Sequence, residues 1–167
     1  MPTAHPTGCS VSECAAMPNH DEIDARQDAQ MNNAEFTLHD RLAADGRLLG
    51  DLLLCRVLLI DDSRFPWCVL VPRQPGLREL HELAGADGQR LFAEINAVSK
   101  ALLETCPAVS KLNVGALGNL VPQLHIHVVG RHPGDAAWPG PVWGSGSAIR
   151  GDANVAALAE RLRLALF

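Results

Sequence analysis

The run Val121-Pro122-Gln123-Leu124-His125-Ile126-His127-Val128-Val129 alternates polar and apolar side chains with period two. This alternation predicts a β-strand, because successive side chains leave a strand on opposite faces. Leu124, Ile126 and Val128 make an apolar face that has to be buried. A slip of one residue would bury the other set instead, so the register is specified. The opposite face presents Gln123, His125 and His127 in a row, each about 7 Å along the strand from the next. A solvated strand face would ordinarily carry Thr, Lys or Glu there. Two histidines in that row need a reason.

The rest of the chain predicts the frame around this strand. Residues 36–39 read as a short strand or entry segment and residues 43–46 as a turn. The apolar run 48–60 reads as a long strand, residues 61–64 as a turn, and residues 67–71 as a returning strand closed by Pro72. Residues 77–83 allow one or two helical turns. Asp87 is a plausible N-cap for a helix reaching about Thr105, since Leu91, Ile95, Val98 and Leu102 fall at helical spacing. Residues 110–116 predict a further strand, the Pro/Gly/Trp-rich residues 133–146 a loop, and residues 154–166 a final amphipathic helix. The order β-β-α-β-β followed by a helix gives an α+β domain with a largely antiparallel sheet, a long central helix and a C-terminal helix.

Composition narrows what such a domain can do. Residues 1–33 are poor in large apolar side chains and are expected to be a flexible tail, leaving 34–167 as the folded domain. No apolar run approaches the roughly 20 residues that span a bilayer, so no membrane partner is expected. A formal net charge of −5 argues against stable nucleic-acid binding, which needs clustered Lys and Arg. It leaves room for a small anion held by backbone N–H groups and a few side chains. The five cysteines show no CxxC pair, and the first 30 residues lack an apolar leader, so free thiols in the cytoplasm are expected. Cys55 and Cys68 fall in predicted strands as small core residues.

Three readings of the histidine row remain open. The pair can be ordinary solvated histidines. It can be part of a metal site, since His-x-His on a strand aims two nitrogens to one side, although no third ligand is strongly placed near it. Or a neutral imidazole can act as a nucleophile on phosphorus. Its second nitrogen would then be held by a fixed acceptor, and the neighbouring His127 would contribute a hydrogen bond or positive charge to phosphoryl oxygens. His39 and His81 are isolated and read as surface or capping residues. Trp67 reads as a core residue, Arg73 and Arg131 as anion-binding or ordinary strand-end charges, and Trp138 and Trp143 either close their loop over the site or serve in packing, structurally or at a subunit contact, with packing preferred.

The segment Gln-Leu-His-Ile-His-Val-Val at 123–129 resembles the His-φ-His-φ-His-φ-φ motif of the histidine-triad (HIT) superfamily, where φ is apolar. Asn113, Gly118-Asn119, Gly130-Arg131 and Val69-Leu70-Val71-Pro72-Arg73 are similar to the flanking family positions, over residues 36–132. The resemblance implies a HIT-like fold, a homodimer, and a nucleotidyl hydrolase or transferase that acts at an α-phosphate. His125 would be the nucleophile that forms a nucleotidyl-histidine, and His127 would bind phosphate oxygens. Asn113 and Asn119 would contact phosphate or leaving group, and Asp61 or Asp62 the ribose, although all four also suit turns and strand ends. The implied partner is a purine nucleotide or related phosphate ester. The imidazole is the covalent carrier, so no cofactor or metal is implied. Gln123 stands where the family has its first histidine. It keeps hydrogen-bonding capacity as an orienting group but cannot carry a titrating proton.

Overall fold

A computed structural model describes residues 35–167; the tail expected over residues 1–33 lies outside them. Helix α1 (Asp40–Asp45) leads into strands β1 (Gly46–Asp51), β2 (Cys55–Ile60) and β3 (Trp67–Pro72). A 3-10 turn (Leu80–Glu82), the long helix α2 (Gly85–Thr105), strands β4 (Lys111–Gly115) and β5 (Ile126–Arg131), and helix α3 (Ala153–Leu166) follow. The five strands form one sheet in the order β1-β2-β3-β5-β4, every pair antiparallel. This is the α+β architecture expected from the sequence, with one strand more. Among the described residues no helix is long and apolar enough to cross a membrane.

The local departures have physical causes. The run 48–60 is a hairpin rather than one strand. Leu52 N–H closes its turn on the Cys55 carbonyl at 2.8 Å, and Arg56 grips Asp51 across the two strands. Residues 36–39 form no strand; the His39 ring instead accepts the Arg41 N–H and caps α1, whose Leu42 is buried. Helix α2 starts at Gly85, so Asp87 lies in its first turn and not at the cap. There Asp87 takes hydrogen bonds from Gln74 and Arg90.

Strand β5 begins only at Ile126, so Gln123 and His125 precede the ladder. Pro122 has no N–H to give, and the Gln123 carbonyl is claimed by the His125 ring. The alternation survives this loss of pairing. Leu124, Ile126 and Val128 all enter the core between sheet and helices, and Leu124 N–H is held by the Leu77 carbonyl.

That core is the larger of two layers. Leu91, Val98 and Leu102 of α2 and Val155, Ala159 and Leu162 of α3 pack on Val57, Leu59, Leu70, Ile126 and Val128. Glu94 of α2 is buried there and accepts the Leu54 and Cys55 backbone N–H groups. The other sheet face is covered in two patches. Phe36, Leu38 and Leu42 pack on Leu58, Val69 and Val71, and the loop residues Val142 and Trp143 pack with Phe65 and Val129. Between these patches the sheet presents His127 to a cavity.

Candidate functional site

The cavity holds about 570 Å³, inside the range typical of small-molecule pockets. His125, His127 and Trp67 form its floor, α1 contributes Arg41 and Asp45, and the turn after β2 contributes Asp62 and Arg64. Residues 117–121 and 142–150 supply the remaining walls, including Asn119, Trp143 and Arg150.

The two imidazoles lie edge to face with ring centroids 4.9 Å apart, and each is held by one nitrogen. His125 Nδ1 lies 2.7 Å from the Gln123 carbonyl, which can only accept, so Nδ1 carries the proton. In the neutral tautomer that this contact selects, the lone pair is on Nε2, which has no hydrogen-bond partner among the described residues. His127 is the reverse case. Trp67 Nε1–H donates to its Nδ1 at 3.0 Å, so its proton sits on Nε2. Burial, and then the neighbouring His125, push the His127 pKa down to about 4, so at neutral pH the ring is an uncharged donor. Trp143 and Trp67 pack edge-on around it at 5.6 and 5.4 Å.

The cavity brings together His125, His127, Asp62 and Asn119. Gln123, Asn113 and Asp61 stand apart from it. The Gln123 amide spans the Thr37 carbonyl and the His39 N–H, both at 2.9 Å, and so ties the entry segment to the histidine strand. Gln123 meets the His125 ring through its backbone carbonyl and not its side chain. Asn113 accepts from Arg131, and Asp61 accepts from Gly151 N–H and lies 3.6 Å from Arg47. Arg131 is not an anion site: it is buried and bonded to Asp135, Asn113 and the Gly140 carbonyl, which pins the loop after β5. Arg73 likewise bonds the Leu52 and Leu53 carbonyls.

Asp62 is buried and occupied. It accepts the Arg64 backbone N–H, Arg64 Nε and Nη2, and the Ile149 N–H. Burial works to raise its pKa, but these donors outweigh it and hold the carboxyl below its usual range. Two contributors went unread in the sequence: Arg64, and Trp67 as the partner of His127; of the two loop tryptophans weighed as closing over the site, Trp143 lines the cavity. Only Trp67 left a signal, since it shares strand parity with Val69, which pairs with His127. Among the described residues no group of three or more His, Cys, Asp or Glu is arranged to hold a metal.

Residues 41–134 match the HIT domain family model. The chain is 44% identical to a histidine triad protein from Bradyrhizobium japonicum, with 80% of this chain and 100% of that one covered and a TM-score of 0.77. It is 42% identical to a histidine triad protein from Sinorhizobium meliloti 1021 (81% and 99% covered, TM-score 0.75). It is 46% identical to one from Marinobacter aquaeolei VT8 (80% and 97% covered, TM-score 0.76). No curated protein matches the chain.

Proposed function

Because the chain belongs to the HIT domain family, we propose that it binds a purine nucleotide and transfers the nucleotidyl group to water or another acceptor through a covalent bond to His125. The observation that carries this reading is the state of the His125 ring. Its Nδ1–H is spent on a backbone carbonyl, and its Nε2 lone pair is unclaimed on the wall of a nucleotide-sized cavity.

The lone pair of Nε2 attacks the α-phosphorus. A P–N bond forms, and the bond from phosphorus to the leaving group breaks with its electron pair on the departing atom. Water then attacks the same phosphorus, the P–N pair returns to Nε2, and the water proton passes to solvent. His127 donates Nε2–H to a phosphoryl oxygen, where negative charge accumulates during transfer. Asn119, which lines the same cavity, contacts the phosphates in this reading. The homodimer implied by the family resemblance is part of the same proposal. Edge strand β4, with Val114 half exposed, pairs on one side only among the described residues and could extend the sheet, and sedimentation of the full chain tests it.

One observation favours a second reading, binding without turnover: the Gln123 amide faces the entry segment, so the residue standing where the first triad histidine is expected does not reach the cavity. Intact-protein mass after rapid quench with adenosine nucleotides separates the two. The expected result is a nucleotidyl adduct on the unmodified chain, none on His125→Asn, and turnover reduced about 10³-fold or more in that variant. Stoichiometric binding with neither adduct nor product establishes the second reading instead.

A further inference from the structure

Asp62 was a candidate for holding ribose, yet its oxygens already accept several N–H groups from Arg64 and Ile149. The carboxylate therefore presents Arg64 and is not itself offered to a ligand. The Arg64 guanidinium is gripped on one side by Asp62, at 2.6 Å from Nη2, and its Nη1 donates to the Ser145 carbonyl at 3.0 Å. Its side chain is only 14% exposed and lines the same cavity as His125 and His127. Nη1 and Nη2 each keep one N–H without a partner among the described residues. This is a fixed, partly dehydrated cation, the arrangement best suited to a phosphate. Arg41 and Arg150, both about half exposed and paired with Asp45, add positive charge to the same wall.

A second feature bears on the same event. A departing amine or alkoxide must be protonated as it leaves, whereas a departing phosphate is stable as an anion, its second pKa being about 6. Among the described residues, no side chain lining the cavity is a free acid for that task at neutral pH, Asp45 being ion-paired with Arg41 and Arg150. Gln123 is turned away, His127 is an uncharged ring fixed by Trp67, and Asp62 is ion-paired.

We propose that Arg64, positioned by Asp62, is the binding residue for the leaving group, and that it selects phosphoanhydrides, whose leaving group departs as a phosphate, over phosphoramidates. This rests on the covalent reading above. The bridging oxygen keeps the electron pair of the broken P–O bond. The charge arriving on the departing phosphate meets the free N–H groups of Arg64, and no proton need be supplied.

The experiment compares kcat/KM for diadenosine tetraphosphate and for adenosine 5′-phosphoramidate on the full chain. The unmodified protein is expected to prefer the anhydride by about tenfold or more. Arg64→Gln is expected to lose about 100-fold on the anhydride, and the preference between the two substrates should collapse toward unity. Asp62→Asn should erode the same preference, whereas general structural damage would depress both substrates alike. Arg64→Gln leaves a buried carboxylate without its partner, so the double variant Asp62→Asn/Arg64→Gln serves as the folded control, and the substrate ranking on the unmodified chain needs no variant. A preference for the phosphoramidate, or equal losses on both substrates in Arg64→Gln, overturns this inference alone. No His125-dependent turnover of either substrate removes the covalent reading and this inference with it.

Discussion

At the scale of single residues, the site depends on which nitrogen of each imidazole carries a proton. The Gln123 carbonyl settles this for His125 and the Trp67 indole for His127, so the two rings present opposite faces of the same chemistry. Trp67→Phe keeps most of the packing area but removes the donor that fixes His127. It is expected to lower kcat about tenfold while costing about 1 kcal/mol of stability, measured by steady-state kinetics alongside urea denaturation. A loss of stability with unchanged kcat would mean that the indole is only a packing group. The His125-His127 pair was legible in the sequence because strand alternation is a local property. Arg64 was not, because an Asp and an Arg two positions apart in a turn are ordinary; only the strap at 145–149 turns them into a directed cation.

At the scale of elements, β5 does two jobs. Its Ile126 and Val128 hold the helix-side core, while His127 and Arg131 look the other way. Arg131 is the buried hub of the loop that carries Trp143 to the site, with Asp135 as its ion-pair partner at 2.7 Å. Arg131→Met is expected to destabilise the fold by about 3–5 kcal/mol, because Asp135 is then buried without its partner. Chemical denaturation gives that number. The double variant Arg131→Met/Asp135→Leu should recover much of it, since both charges are gone. If the single variant costs under about 1 kcal/mol, the pair does not hold the loop. Strand ends were read less well than strand interiors. The 48–60 run and the start of β5 were misjudged where a turn bond or a proline removes ladder partners from an apolar stretch.

At the scale of the whole molecule, acid should act in two separate windows. His127 has a folded pKa near 4 against an ordinary value near 6.5, so between those values the unfolded chain binds the extra proton and stability falls as pH falls. Asp135 is held at about 2, chiefly by its hydrogen bonds from Arg131. Its contribution is present above its ordinary value of 3.8 and is lost as pH drops toward 2. Thermal midpoints recorded from pH 7 to 2 are therefore expected to decline first between about 6.5 and 4 and again below 4. In His127→Gln the upper decline should shrink while the lower one stays. If the upper decline persists unchanged in that variant, the buried imidazole is not its source.

The largely antiparallel sheet, the long central and C-terminal helices, the helix stripe of Leu91, Val98 and Leu102, and the histidine row were all written in the linear chain. Each follows from a short period in hydrophobicity that the backbone geometry of one element converts directly into a buried face. Tertiary structure alone decided which side chains surround those histidines. Gln123 turned toward residues 37 and 39, Asn113 toward Arg131, and Asp62 toward Arg64, because each found a partner far away in sequence or newly fixed by a distant loop. A polar group commits to whichever partner folding places beside it, and no local pattern encodes that choice.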